Sequence, residues 1–134
     1  MYELLQLIAI NNNWFFEYSR SDYQNLYDGM EINKIHLFAD PITIDTVFTD
    51  SGNEIKTYTG KVMLLVSSDI DETYKTKYIN NIKPLITTST QVIKQSILCD
   101  DTMEINKFQT IEVINLFDVN LDGVLINYSV TVTE

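Results

Sequence analysis

The sequence predicts an α+β domain: a mostly antiparallel sheet, one long helix packed on a face, and a short N-terminal helix. Three observations carry this. Several segments of strand length are apolar or alternate with period two. One stretch, Glu72–Leu98, carries apolar residues at steps of three and four. Turn residues at Asp50–Asn53 and Asp118–Gly123 place hairpins on either side of it.

Taken in order, Met1–Ile10 reads as a short amphipathic helix. Leu4, Leu5, Ile8 and Tyr2 mark its apolar side, and Asn11–Asn13 ends it. Trp14–Ser19 is aromatic and β-prone, and is expected as a strand at a sheet edge or inside an interface. Arg20–Asn33 is polar, with Tyr23, Leu26, Tyr27 and Met30 embedded, and reads as a loop with one helical turn. Lys34–Phe38 is a short strand; Pro41 interrupts pairing because it has no N–H for a ladder. Thr43–Thr49 resumes an alternating pattern, and Glu54–Ser67 returns from the Gly52 turn. The second half of that return, Lys61–Ser67, is apolar on both sides, as expected of a central strand covered on both faces.

Asp69, Asp71 and Glu72 supply acids suited to a helix N-terminus. The helix stripe is Tyr78, Ile82, Leu85, Ile86, Val92, Ile93 and Ile97. Pro84 lies inside it and is expected to bend the helix or split it in two. Asp100 and Asp101 end it. Glu104–Phe117 is the next strand, with a bulge expected between Phe108 and Ile111, where alternation slips. Val124–Val132 closes the chain after the Asp118–Gly123 turn, in which Gly123 is expected to take positive φ. The coarse order is α-β-β-β-α-β-β over one domain, residues 1–134.

Composition excludes several functions. Nineteen acidic against nine basic residues give a net charge of -10, and the only arginine is Arg20. Nucleic-acid binding needs a basic face to replace counterions, so a DNA or RNA reader is not expected. No apolar run approaches the ~20 residues that cross a bilayer. The N-terminus carries Glu3 where a signal peptide would carry Lys or Arg. A lone cysteine, Cys99, forms no internal disulfide and agrees with a reducing compartment.

The motifs favour structure over chemistry. His36 has no second histidine for a metal site and reads as a partly buried or surface residue. Cys99 reads as a small buried or half-buried residue, and Asp100 and Asp101 have the wrong sign to activate a thiolate. Asp118, Asn120 and Asp122 match the first half of a calcium loop, but Ser129 stands where the bidentate glutamate belongs; a hairpin turn is the better reading. Asp69–Glu72 and Asp100–Glu104 read as caps. No catalytic residue, cofactor or metal ligand is assigned. Trp14, Phe15, Phe16 and Tyr18, with Tyr23 and Tyr27, form the densest aromatic group. In a strand they cannot all face one core, so some mark an oligomer interface or lie under loops that cover the second face.

The layout resembles a family. An N-terminal helix, an aromatic strand, a hairpin ending in the apolar run Tyr58–Val66, an acid-opened helix and a closing hairpin over Asn115–Tyr128 are similar to bacteriophage tail-terminator and tail-completion proteins. Abundant Ile and Asn with only two alanines, Ala9 and Ala39, is compatible with phages of Bacteroides-type hosts, crAss-like phages among them. The resemblance implies a structural virion protein made in the host cytoplasm, with no enzyme activity. It implies a ring, six- or twelve-fold, between portal or connector and tail proteins, through which DNA passes without specific binding. Trp14, Phe15, Phe16, Tyr18, Tyr23 and Tyr27 are then the candidate interface, and Asp45, Asp50 and Glu54 the candidate lumen or inter-ring hairpin. An acidic lumen would repel DNA and let it slide. The alternative is a small acidic cytoplasmic binding module or inhibitor that meets a basic protein.

Overall fold

The computed structural model describes residues 1–18, 34–69, 71–116 and 120–133. The Arg20–Asn33 segment, including Tyr23 and Tyr27, and the residues 117–119 lie outside the described residues. The first helix, α1 (Tyr2–Asn11), buries Leu5, Ile8 and Ala9 and leaves Tyr2 outside. The asparagine run stops it as expected: Asn12 donates to the Ile8 carbonyl from both its backbone and its side chain, and Asn13 takes φ +58.

The strands are β1 (Phe15–Tyr18), β2 (His36–Ala39), β3 (Thr43–Phe48), β4 (Glu54–Ser67), β5 (Met103–Leu116) and β6 (Leu121–Thr133). They form one mixed sheet in the order β1-β2-β4-β6-β5, with β3 also paired to β4. Among the described residues only β1 and β2 run parallel. Four strands precede the long helix, matching the four segments expected one by one and one more than the coarse order counts; Pro41 separates β2 from β3. β2 ends at Ala39 opposite Val62, and β3 begins at Thr43 opposite Thr59, so an interrupted edge lies end to end along the 14-residue β4. The fold is α+β.

The long helix, α2, spans residues 74–98. It begins and ends as α-helix, at Tyr74–Lys77 and Thr90–Leu98. Between them, Tyr78–Ile82 and Leu85–Ser89 wind wider, with i→i+5 bonding. Pro84 sits between the two wide turns. It has no N–H to donate, and the widened winding carries the helix past it as one bent rod instead of splitting it. The N-cap is Thr73, whose hydroxyl accepts from the Thr76 amide at 3.3 Å; Asp69 instead caps Asp71 within the preceding turn.

Each wide turn advances the helix phase. The stripe expected at Tyr78, Ile82 and Leu85 is therefore displaced at its start: Tyr78 is 40% exposed and Lys77 is fully buried. From there Ile82, Leu85, Ile93 and Ile97 face the sheet and pack on Val62, Leu64, Val124, Ile126 and Val130, with Leu5 and Ile8 of α1. Each such side chain contributes about 1.5–3 kcal/mol of burial. The opposite sheet face holds a smaller cluster of Phe38, Met63, Leu65 and Leu121. β4 is thus covered on both faces between Val62 and Leu65, as its apolar run predicts.

Two local expectations are corrected. The slip in β5 is not between Phe108 and Ile111. Extra residues fall at Asn106, between the paired Ile105 and Lys107, and between Val113 and Leu116, where Asn115 takes φ +55. Nor does Gly123 supply a positive φ; Asn120 does, at +54. Gly123 lies inside β6, where a Cβ would stand 1.9 Å from the Leu64 carbonyl oxygen. Close strand approach is what requires glycine there. Gly52, by contrast, takes φ +86 at the tip of the β3–β4 hairpin with open space around it.

Gly123→Ala is expected to destabilise the chain by at least ~3 kcal/mol, because a backbone carbonyl must move. Gly52→Ala should cost only ~1 kcal/mol, from its left-handed backbone. Urea unfolding of the two variants checks the ordering.

Candidate functional site

A buried polar cluster joins the ends of four elements. Ser68 follows β4, Lys77 and Asn81 lie in the opening turns of α2, Asn115 is in the last bulge of β5, and Asp122 is near the start of β6. Lys77 and Asp122 both have fully buried side chains, their charged atoms 3.9 Å apart. Lys77 Nζ donates to Ser68 Oγ at 3.0 Å and to Asn115 Oδ1. Asp122 Oδ2 accepts from Ser68 Oγ at 2.6 Å and from Asn81 Nδ2 at 3.0 Å; its Oδ1 accepts the Asn115 amide at 2.9 Å.

This set invites a catalytic reading, since it contains a serine, a lysine and a carboxylate. The polarity opposes it. A nucleophilic serine surrenders its proton to a base that can accept it. Here Ser68 directs its proton to Asp122 and receives one from Lys77. The cluster is built to satisfy a buried charge pair, and it clamps the start of α2 to the β4, β5 and β6 ends. Asp122 also spends its oxygens on these partners, so the Asp118–Gly123 pattern serves the fold through that residue. No group of three metal-ligating side chains assembles among the described residues.

The expected interface residues divide between faces. Trp14 and Phe16 pack beside the α1 core. Phe16 and Tyr18 each meet Tyr2 edge-on, at 5.4 and 5.0 Å between centroids. Phe15 points the other way, 5.3 Å from the buried His36 ring and with Lys34 Nζ 5.5 Å from its centre. Of the four, Tyr18 is the exposed one. β1 is an edge strand, as expected. Asp45, Asp50 and Glu54 all lie exposed on the β3–β4 hairpin. Asp45 pairs opposite Thr57 and Glu54 opposite Phe48, which puts the two acids on opposite faces and not in one stripe. Glu54 also pairs with Lys56 at 3.7 Å. Cys99, expected buried or half-buried, is exposed, because it follows the last turn of α2 and points away from the sheet-facing residues Ile93 and Ile97.

No family model and no curated protein matches this chain. The site residues therefore rest on their own geometry. That geometry includes Tyr128, which in the sequence is one member of an alternating strand. It is 3% exposed, its hydroxyl has no hydrogen-bond partner, and the ring crosses Gly60 so closely that a Cβ there would stand 2.8 Å from the oxygen. Burial, then Tyr18 and Asp40, pushes its phenol well above its ordinary value of 10.0. At the other end of α2, the Asp100 carboxyl is held below its usual range by the Thr102 hydroxyl and amide.

Lys77→Met should cost about 3–5 kcal/mol, since it strands the Asp122 charge. Lys77→Met combined with Asp122→Asn should cost less than the two single changes added together, measured by a double-mutant cycle in urea. Tyr128 keeps its proton in the folded state where the unfolded chain loses it. Its contribution is therefore complete below pH 10 and falls as pH rises above that value. Tyr128→Phe should remove this alkaline loss while leaving stability near pH 7 almost unchanged, because the hydroxyl bonds to nothing.

Proposed function

We propose that this chain is a structural subunit that assembles into a ring in a phage head–tail connector or tail terminator. In this reading it joins portal to tail, and its acidic surface faces the DNA channel. One observation carries the proposal. Every residue of β3 is exposed, and Ile44, Val47 and Phe48 stand 54%, 62% and 66% open to solvent. They are apolar side chains on both faces of a hairpin, in a chain with a net charge of -10.

Large apolar side chains left exposed on a hairpin favour a contact with a neighbour. β3 also pairs on one side only among the described residues, so its outer edge offers backbone donors and acceptors to a neighbour. The hairpin is the natural contact for the next subunit or the next ring. A head-to-tail contact between it and a different surface of the neighbour closes a ring. The acids on both hairpin faces keep the tip hydrated and disfavour phosphate, which suits passage of DNA without capture. The layout resemblance to tail-completion proteins supports the same reading, and the buried Lys77–Asp122 cluster supports a rigid body on which such a hairpin is mounted.

Absolute mass by light scattering after size exclusion, with negative-stain images of the same peak, tests the proposal. A closed ring of defined symmetry is expected, alone or on a neighbouring tail protein. A monomer under both conditions would overturn it. Val47→Ser with Phe48→Ser should abolish assembly while shifting stability by no more than about 0.5 kcal/mol each, as both side chains are already exposed. Charge reversal of Asp45, Asp50 and Glu54 should impair assembly or DNA passage; intact function would count against their role.

A further inference from the structure

Two strands of the sheet are paired on one side only. Among the described residues β3 pairs with β4 alone and β5 with β6 alone, and they bound the sheet on opposite sides. Their directions are related. β3 runs opposite to β4, β4 opposite to β6 and β6 opposite to β5, so β3 and β5 run opposite to each other. A second copy, rotated about an axis along the strands, keeps these directions. Its β5 then meets β3 as an antiparallel neighbour, with the two sheet faces continuous across the join.

The two edges also match in regularity and charge. β3 holds an unbroken register from Thr43 to Phe48. β5 bulges at Asn106 and again after Val113, and bulges disfavour edge pairing, which leaves Lys107–Val113 as its regular stretch. Thr43, Thr59, Ser129 and Lys107 lie in one cross-strand row, on the face away from α2. Asp45 and Val47 share that face with Lys107, Gln109 and Ile111. Asp45 is the one charged side chain of β3, and Lys107 the one charged side chain that the regular stretch of β5 puts on this face. Both are exposed, and neither has an ion-pair partner among the described residues. Val47 and Ile111, both also exposed, add apolar sides to the same face.

We propose that β3 of one copy pairs antiparallel with the Lys107–Val113 stretch of β5 in the next, with Asp45 beside Lys107, so that one sheet runs from subunit to subunit. Opposite charges on adjacent strands support a ladder and like charges oppose it. A twofold contact of β3 with itself offers Asp45 only another Asp45, and on this face β5 with itself offers Lys107 only another Lys107. The charges therefore favour the head-to-tail contact, which propagates, over the twofold one, which stops at a dimer. The inference rests on the ring reading above and names the surface that the hairpin meets.

Two measurements test it. In the first, the concentration for half-assembly is read by light scattering over a dilution series. Asp45→Lys and Lys107→Asp should each raise it several-fold, and the two together should return it to within about twofold of the original. In the second, Thr43→Cys and Gln109→Cys are made as separate chains, each with Cys99→Ser, mixed at low concentration, concentrated together and treated with a short bis-maleimide. The mixture should give a cross-linked pair, and either chain alone none. All four substituted strand positions are exposed, so the fold of the single chain is kept, as circular dichroism checks. Assembly without a cross-link in the mixture, or without rescue by the double charge exchange, would overturn the inference and leave the ring reading standing. A cross-link within the Thr43→Cys chains alone would overturn it in favour of a twofold contact. An original chain that stays monomeric throughout the series, alone and with a neighbouring tail protein, would overturn both.

Discussion

The Lys77–Asp122 pair is the constraint around which one end of the molecule is arranged. Two opposite charges with fully buried side chains must have their remaining hydrogen-bonding capacity met, or each costs several kcal/mol of lost hydration. Ser68, Asn81 and Asn115 meet it. The demand reaches into the backbone. Asn115 delivers both its amide and its side chain from a bulge in β5, at the cost of a left-handed φ. Lys77 reaches the cluster from the N-terminal turn of α2, and the wide turn that follows then brings Ile82 onto the same side of the helix. In a regular α-helix two residues five apart, such as Lys77 and Ile82, would not share a side. The clamp, the wide turns and the tolerance of Pro84 are therefore parts of one arrangement.

The rest of the molecule is organised by distance from that clamp. Near it, β4 and β6 are buried on both faces and approach so closely that Gly123 has no room for a side chain. Away from it, β4 runs out past the helices and pairs with β3, and burial falls until the hairpin is exposed on both faces. A sheet of two 14-residue strands and one of 13 is longer than the two helices can cover. The uncovered end is where apolar side chains meet solvent. A rigid end and an exposed end suit the contact role proposed above.

Charge and shape act on different parts of that contact. In the proposed role the acidic surface would set which partners approach, and the apolar hairpin where a contact can be dry enough to hold. Separate placement matters, because an apolar patch on a neutral chain would associate without selection, whereas net negative charge suppresses all but complementary or geometrically favoured contacts.

Sequence alone determined the elements whose signal is local. The α1 stop at the asparagine run, the Gly52 turn, the edge position of the aromatic strand, the doubly covered apolar half of β4 and the α+β class all follow from periodicity and turn chemistry. What depended on partners distant in sequence was decided only by the tertiary structure. Lys77 and Asp122 are 45 positions apart, and a lysine one step off an apolar stripe reads as solvent-facing until its carboxylate is in view. The phase of α2 hangs on that pairing, and a regular period, which the helix does not keep, puts Tyr78 inward. Gly123 looks like a turn residue beside Asp122, and only the Leu64 carbonyl on the neighbouring strand shows it to be a packing one.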